Sequence, residues 1–580
     1  MSTLTASSAI ATGRVQLANV RQNSLLTAKV RILVIVGLIL FVAFVAIARI
    51  VQLGIAEQAP EGRSMAQRLL PPRGEITDRN GEPLARAFPA YALWFNPKAF
   101  NDDGRNPLVK TPQEVAAALV KIFPDADYDE LVKRLKQDKA SYLVRRVLPE
   151  QANRVHALGE PALEIPRENQ RYYPQGSLAA HVLGYVATDG HGRVGMEQVL
   201  DKRLLDPATR GKPVELSIDV RVQSALEDEL NREIGLTNAK GGTGIVLDVD
   251  SGEVLALASL PEFDPNRPDQ AYNHLVYNRA TNQVYELGSV MKPLTVAAAI
   301  DAGTITDLSR RYKAGAPLEI AGFKIHDDHN YGATLNIPEA LVHSSNIVLA
   351  QVGDELGAHR LRETMLSLGF KERPFIELPA RGKPLWPRLE DHGEWSRITT
   401  MTVSYGHGIA ITPLHLACAY AALVNGGIWH PATLMKEKPG AKVEGRRVFT
   451  ASTSARMRQL LRMIVKVGTG RKANADGFRI GGKTGTAELA GEHGYRKNAV
   501  IATFASAFPM DKPRYVVIAT LDEPQGTQAT SFQRTAAWNA APVVGRLVPR
   551  IGPMLGIMPD PTRDVDISDI APLVANGDGE

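Results

Sequence analysis

Cysteine is nearly missing from this chain: Cys418 is the only one in 580 residues. One thiol excludes an intrachain disulfide and any zinc site built from cysteines. It sits in the apolar run Pro413-Leu-His-Leu-Ala-Cys-Ala-Tyr420 and reads as a small core residue. Basic clusters interleaved with aromatics are missing too, and a net charge of +5 is mild, so nothing indicates nucleic-acid binding. There is no internal repeat and no low-complexity tract. Acidic residues are missing from positions 1–31, which hold Arg14, Arg21, Lys29 and Arg31.

After that basic tail comes Ile32 to Ala48, unbroken apolar sequence, continued past Arg49 by Ile50 to Ile55. Together they exceed the roughly 20 residues needed to cross a bilayer core. The flanking positive charge predicts a cytoplasmic tail, with everything after residue 55 on the outer side. A cleaved signal peptide is the rival, but its apolar core is usually only about 7–15 residues. The expectation is a single-pass anchor in the inner (plasma) membrane, with a periplasmic body. A composition of 44% hydrophobic and 22% charged residues suits a folded body of two or three domains.

The expected layout is a tail at 1–31, an anchor at 32–55, a first domain at 64–211, a second at 212–558 and a flexible acidic tail at 559–580. Glu57 to Gln67 is polar and reads as a linker. In the first domain Asn80-Gly81 is a hairpin-turn signal. Residues 111–147 hold two helical patterns around Pro124, and Gly195 to Leu204 is helix-like. This region is mixed α and β, shows no cofactor loop or nucleophile arrangement, and is read as non-catalytic. The second domain opens with a helix from Val220 to about Ile234, then two β-rich runs around Asp250-Ser-Gly252. A largely helical stretch reaches to about 425. Strands at Ala499–Phe508 and Tyr515–Leu521 and a helix from about Thr530 to Leu547 complete it. That order predicts an α+β fold with an antiparallel sheet flanked by helices.

The chain is organised around Val284-Tyr-Glu-Leu-Gly-Ser-Val-Met-Lys-Pro293. Ser289 and Lys292 are three apart at the start of an apolar helix, which puts both side chains on one face. The serine then lies near backbone N–H groups and the positive end of the helix dipole. A lysine kept neutral by burial can take its proton. Alone this is weak, since about one or two S-x-x-K matches occur by chance in a chain this long. Two further elements change the weight. Ser344-Ser-Asn346 starts a second apolar helix, and Lys483-Thr-Gly-Thr486 enters a strand. In the order S-x-x-K, S-x-N, K-T-G these motifs are the signature shared by class A β-lactamases and penicillin-binding proteins.

The set provides what acyl transfer at a peptide carbonyl needs. Ser289 is the expected nucleophile and Lys292 its base. Ser344 can pass a proton to the leaving amine, and Asn346 can orient the substrate amide. Lys483, Thr484 and Thr486 suit a terminal carboxylate, and Gly485 lets the strand backbone approach closely. The backbone N–H groups of Ser289 and Thr486 are the expected oxyanion hole. No metal and no cofactor enters this scheme.

The resemblance extends beyond the motifs. Arg73-Gly-Glu-Ile-Thr-Asp-Arg-Asn-Gly81, Arg171-Tyr-Tyr-Pro-Gln-Gly176, Ala180-His-Val-Leu-Gly-Tyr185, Leu216-Ser-Ile-Asp219, Ser404-Tyr-Gly-His-Gly408 and Thr412-Pro413 join them. With these the chain resembles the division-specific class B penicillin-binding proteins over nearly its whole length. The resemblance implies a penicillin-binding, β-lactamase-like transpeptidase domain behind a pedestal or dimerisation-type domain. The implied activity is cross-linking of stem peptides at their D-Ala-D-Ala ends during septal peptidoglycan synthesis, with β-lactams acylating Ser289. Implied partners are nascent lipid-linked glycan, a division glycosyltransferase and other divisome proteins. An asparagine at 346 resembles the division enzymes rather than their elongation relatives. Leu287, Val290 and His407 depart from the family's usual proline, threonine and aromatic residue.

Several readings compete. A D,D-carboxypeptidase or β-lactamase-type hydrolase uses the same motifs, but a class A β-lactamase needs a glutamate for deacylation. Glu377-Leu-Pro-Ala-Arg381 is the nearest acidic loop between 346 and 483, and it is not E-x-x-L-N-like. A β-lactam sensor needs a sizeable cytoplasmic or membrane signalling region, and 31 residues is little; a non-enzymatic division scaffold needs neither Lys292 nor Lys483, and both are present. Lys324-Ile-His-Asp-Asp-His329 could be a metal cluster but is read as an exposed polar loop. His407 is read as a loop histidine near the site, and Arg73, Asp78 and Arg79 as a salt-bridged hairpin or docking element.

Overall fold

The computed structural model describes residues 29–47, 49, 72–99, 108–187, 189–268, 273–320, 322–438, 440–441, 443–491 and 494–574. The tail before residue 29, the end of the apolar stretch beyond Arg49, the linker and the start of the first domain lie outside these. The chain divides into two units, residues 1–70 and 71–580. In the first, Lys29–Ile47 is a 19-residue helix of mean hydropathy 3.0 with exposed Leu, Ile, Val and Phe side chains on all sides. At 1.5 Å per residue it spans about 28 Å, enough for a bilayer core.

In the second unit the first domain is built on a long strand. β2 (Pro83–Phe95) pairs antiparallel with β1 (Ile76–Thr77), β3 (Ser141–Val147), β4 (Leu163–Glu164) and β5 (Arg167–Tyr172). The Asn80-Gly81 turn joins β1 to β2 as its sequence predicts, with Gly81 at φ +89°. Helices α1 (Pro112–Ile122), α2 (Tyr128–Leu135) and α3 (Pro149–His156) pack on this sheet through Val115, Leu119, Leu131 and Val155 against Leu93, Phe95 and Val147. The helical reading of 111–147 holds only to Leu135. Tyr142, Val144 and Val147 pair with β2, because aromatic and β-branched residues fit a half-buried pleated surface. The helix-like run at 195–204 is broken at Leu200 into Gly195–Val199 and Asp201–Leu205.

Charged residues, not only apolar ones, lock this domain. Glu197 is wholly buried and accepts from Arg73 Nε at 2.8 Å and Arg171 Nε at 2.6 Å. Arg73 also reaches Asp201 at 2.7 Å. Asp78 accepts from the N–H groups of Asn80, Glu82 and Val220, tying the hairpin to the next domain's first helix. The 73–81 segment is thus structural. β6 (Val214–Glu215) runs parallel beside β1 and leads out.

The second domain contains a five-stranded antiparallel sheet. Its strands are β7 (Gly241–Asp248), β8 (Val254–Leu260), β9 (Gly481–Gly491), β10 (Gly494–Phe508) and β11 (Tyr515–Asp522), in the order β9-β10-β11-β7-β8. Both faces are covered, so the strands read as near-continuous apolar runs whose alternate residues enter different cores. Val246, Phe504, Val517 and Leu521 face helix α4 (Val220–Thr237) and the C-terminal helix. Ile245, Leu247, Ala505 and Ile518 face the helical layer containing α5 (Lys292–Asp301), α6 (Ile337–Val342), α7 (Asn346–Leu356), α8 (Pro413–Val424) and α9 (Ala451–Val467). α8 is apolar all round, and every residue in it, including Cys418, is buried.

Three expectations change. The stretch to 425 is interrupted by short ribbons at 312–335 and by an irregular run at 371–396 containing Pro374, Pro379, Pro384 and Pro387. The last helix, α10 (Ala540–Met554), starts ten residues later than its composition suggests, because Ser531 and Phe532 adopt left-handed φ of +50° and +59°. Nor is 559–574 a free tail. Asp564 and Asp569 pair with Arg462 and Arg456 of α9, and Ile570 is buried. The acidic composition that looks solvated is matched to a basic helix face. Residues 575–580 lie outside the described residues.

Candidate active site

The Ser289 turn is a single turn of 3-10 helix, Gly288–Met291, feeding directly into α5. In such a turn residues i and i+3 eclipse, so Ser289 and Lys292 share a face as their spacing implies. The turn is braced on three sides. From α8, Tyr420 Oη donates to Val290 O at 2.8 Å. From β9, Gly485 presses against it: a Cβ there would lie 2.5 Å from Leu287 O and 3.0 Å from Val290 N. From the 404–408 segment, Gly406 (φ +95°) has no room for a Cβ, which would stand 2.1 Å from Gly288 O. The close approach that Gly485 permits is therefore to the Ser289 turn. It holds the turn against β9, with the Thr486 carbonyl oxygen 3.1 Å from where a Gly288 Cβ would stand.

Ser289 Oγ is half-buried and has no hydrogen-bond partner among the described residues. Lys292 instead turns to the S-x-N motif, donating to the carbonyl oxygen of Ser344 and, at 3.1 Å, to its Oγ. Lys483 donates to the same Oγ at 2.9 Å. The three motifs thus meet at one hydroxyl. A serine oxygen has two lone pairs and one proton; with both lone pairs facing lysines, the proton is left to point elsewhere. Ser344 is held for this in a left-handed conformation, φ +65°, which costs a non-glycine residue about 1–2 kcal/mol.

Both lysines are fully buried. Burial pushes Lys292 down to about 7, against the pull of the Asp327 and Asp328 carboxylates. Lys483 is lowered well below the usual lysine range by burial and then by the Lys292 charge. Two ammonium groups sharing one hydroxyl do not both stay charged. A carboxylate arriving at Lys483 favours its protonated form and leaves Lys292 the neutral partner. That arrangement can remove a serine proton while binding an anion.

Thr484 Oγ1 donates to Thr469 Oγ1 at 2.7 Å, and Thr486 Oγ1 accepts from Ala536 N at 3.0 Å. Asn346 Nδ2 reaches the carbonyl of His326 at 3.1 Å. The structure therefore brings Lys292, Ser344 and Lys483 to one hydroxyl, with Ser289, Asn346, Thr484, Gly485 and Thr486 on the same three segments.

Asp327 corrects the reading of 324–329 as only an exposed loop. Its carboxylate accepts from Asn346 N at 2.5 Å, Ile347 N at 3.1 Å and Ser345 Oγ at 2.6 Å. It caps α7 at the first residues of the S-x-N helix, where a negative charge is favoured. His326, Asp328 and His329 are exposed, and among the described residues no group of three His, Cys, Asp or Glu is placed to hold a metal. Asp327, Thr469 and Tyr420 escape a reading by motif. The Gly468-Thr-Gly470 tripeptide is the one local signal among them, and it is faint. Glu377 is committed elsewhere, accepting from Thr433 Oγ1 and from Leu434 N at 2.8 Å.

Comparison with known proteins decides the family. Residues 242–542 match the penicillin binding protein transpeptidase domain, and residues 68–212 match the penicillin-binding protein dimerisation domain. The chain belongs to the penicillin-binding protein transpeptidase family. The probable peptidoglycan D,D-transpeptidase FtsI of Caulobacter vibrioides is 37% identical, over 86% of this chain and 84% of that protein. Peptidoglycan D,D-transpeptidase FtsI of Escherichia coli K12 is 31% identical, over 87% of each. A crystal structure of penicillin binding protein 3 from Mycobacterium tuberculosis complexed with aztreonam shares the fold. Its TM-score is 0.65 at 23% identity, over 86% of this chain and 99% of that one.

Proposed function

We propose that this protein is an FtsI-type peptidoglycan D,D-transpeptidase, a serine acyltransferase that cross-links stem peptides during septal wall synthesis. The observation that carries the mechanism is Ser344 Oγ standing between Lys292 and Lys483 beside the Ser289 turn. Lys483, Thr484 and Thr486 hold the terminal carboxylate of a D-Ala-D-Ala donor. Ser289 Oγ attacks the carbonyl of the penultimate residue as neutral Lys292 takes its proton. The backbone N–H groups of Ser289 and Thr486 receive the oxyanion, and Asn346 orients the amide. When the C–N bond breaks, Ser344 hands a proton to the departing D-Ala, and Lys292 reprotonates Ser344. An amine from a neighbouring stem then attacks the Ser289 ester, forming the new amide and returning the hydroxyl. β-Lactams enter by the same acylation and leave slowly.

The basic residues before the N-terminal helix support a cytoplasmic N-terminus and a periplasmic catalytic domain. The first domain, matching a dimerisation family, suits docking of a glycosyltransferase and other division proteins. The test supplies the full-length protein with nascent glycan made by a division glycosyltransferase and counts dimeric stems by chromatography. Cross-links that vanish with Ser289→Ala and with benzylpenicillin are expected. Shortened but uncross-linked stems would instead make the protein a hydrolase.

A further inference from the structure

Beyond the three motifs, a second set of side chains closes on the Ser289 turn from the far end of β9. Glu286 stands three residues before Ser289. One carboxylate oxygen accepts from Gly408 N at 2.9 Å, and the other accepts from Tyr495 Oη at 2.6 Å. His407 Nδ1 lies 3.9 Å from that second oxygen, its ring between those of Tyr405 and Tyr495. Glu488 is exposed on β9, on the face that carries Thr484 and Thr486. Tyr495 is 47% exposed, and the Glu286 side chain keeps 21% of its surface. A carboxylate offers roughly four acceptor positions, so two remain open.

β9 is the end strand of its sheet, so an extended peptide can add along its outer edge. A donor held by its carboxylate at Lys483 and Thr484, with its reacting carbonyl at Thr486, runs toward higher residue numbers. At about 3.3 Å per residue, the residue before the two terminal ones arrives past Ala487, beside Glu488 and Tyr495. Donor and acceptor stems are alike, so the donor carries the same kind of side-chain amine that the acceptor uses to attack. Resting on the donor reading proposed above, we infer that Glu286, with Tyr495, His407 and Glu488 around it, is the subsite for a side-chain amine on the donor residue preceding D-Ala-D-Ala. The ammonium pairs with Glu286, and the Tyr495 ring covers its aliphatic stem.

The test measures competition, so no turnover is needed. Full-length protein in detergent micelles is acylated at Ser289 by benzylpenicillin in the presence of Nα-acetyl-Lys-D-Ala-D-Ala or its Nα,Nε-diacetyl form. The concentration of each that halves the acylation rate is read. The free amine is expected to be at least about fivefold more effective, a ratio that falls to about one in Glu286→Gln and widens at least about twofold in Tyr495→Phe, which releases a Glu286 oxygen. Because each ratio is internal to one protein, altered stability cancels. Equal potency of the two peptides in wild type that benzylpenicillin does acylate overturns the subsite alone. A ratio retained in Glu286→Gln overturns the role of Glu286. Should that variant fail to acylate, an unchanged ratio in Tyr495→Phe overturns it instead. Wild type that benzylpenicillin never acylates overturns the donor reading and this inference together.

Discussion

At the scale of residues, the shared hydroxyl of Ser344 makes pH a direct probe. Acylation by benzylpenicillin is expected to rise about tenfold per pH unit up to about 7 and then level, as Lys292 becomes neutral. Asp327 raises the Lys292 value, so Asp327→Asn moves that rise to lower pH and lowers the plateau by about tenfold. A stopped-flow pH series on both proteins checks this; a midpoint that moves upward would be wrong for this site. The same burial fixes a stability effect. The folded pKa of Lys292 lies below its ordinary 10.5, so the unfolded chain holds the proton more tightly. Stability then climbs as pH rises from about 7 to 10.5, and the penalty is present in full below that window. Lys292→Met is accordingly expected to abolish acylation and raise the melting temperature by about 2–4 °C at pH 6, measured by scanning calorimetry. The motif residues were legible because each stands in a short pattern of fixed chemistry. Asp327 was not: it lies 19 residues before Asn346, and nothing local distinguishes it from other polar loop residues.

At the scale of elements, the site depends on how closely the Ser289 turn packs on β9. Gly485→Ala puts a methyl group 2.5 Å from the Leu287 carbonyl, a backbone atom that cannot rotate away. Overpacking of this kind costs about 1–3 kcal/mol, and here it also parts Ser289 from Thr486. The expected result is a loss of benzylpenicillin acylation of about 100-fold with a smaller fall in urea midpoint; an unaffected rate would mean the two backbones are not coupled. The strands of this sheet were readable from their continuous apolar runs, and β9 from the K-T-G motif and the strand after it. Boundaries decided by tertiary contact were not. Ala536 N is drawn to Thr486 Oγ1 and Ser531 and Phe532 turn left-handed, so α10 waits until Asn539 can cap it. Likewise the helical patterns read over 111–147 stop at Leu135, and Ser141, Tyr142, Val144 and Val147 pair with β2.

At the scale of the whole molecule, the family's N-terminal motifs stiffen the first domain through buried ion pairs. Arg73 and Arg171 converge on buried Glu197, and removing that carboxylate leaves two desolvated guanidinium groups. Glu197→Gln is expected to cost about 3–5 kcal/mol, read from denaturant unfolding of the full-length protein. A loss under 1 kcal/mol would mean water reaches the cluster. The sequence offered Arg73, Asp78 and Arg79 as a salt-bridged hairpin or docking element, but not that charges dispersed over 124 positions meet in the interior of this domain. Acyl transfer through Ser289 is open to one decisive measurement: the intact mass of wild-type and Ser289→Ala protein over time with benzylpenicillin, with the adduct then located by peptide mapping. A long-lived adduct of one penicilloyl group, mapped to Ser289 and lost in the variant, is the predicted result. No adduct on folded wild-type protein, or one that maps to another residue, would contradict it.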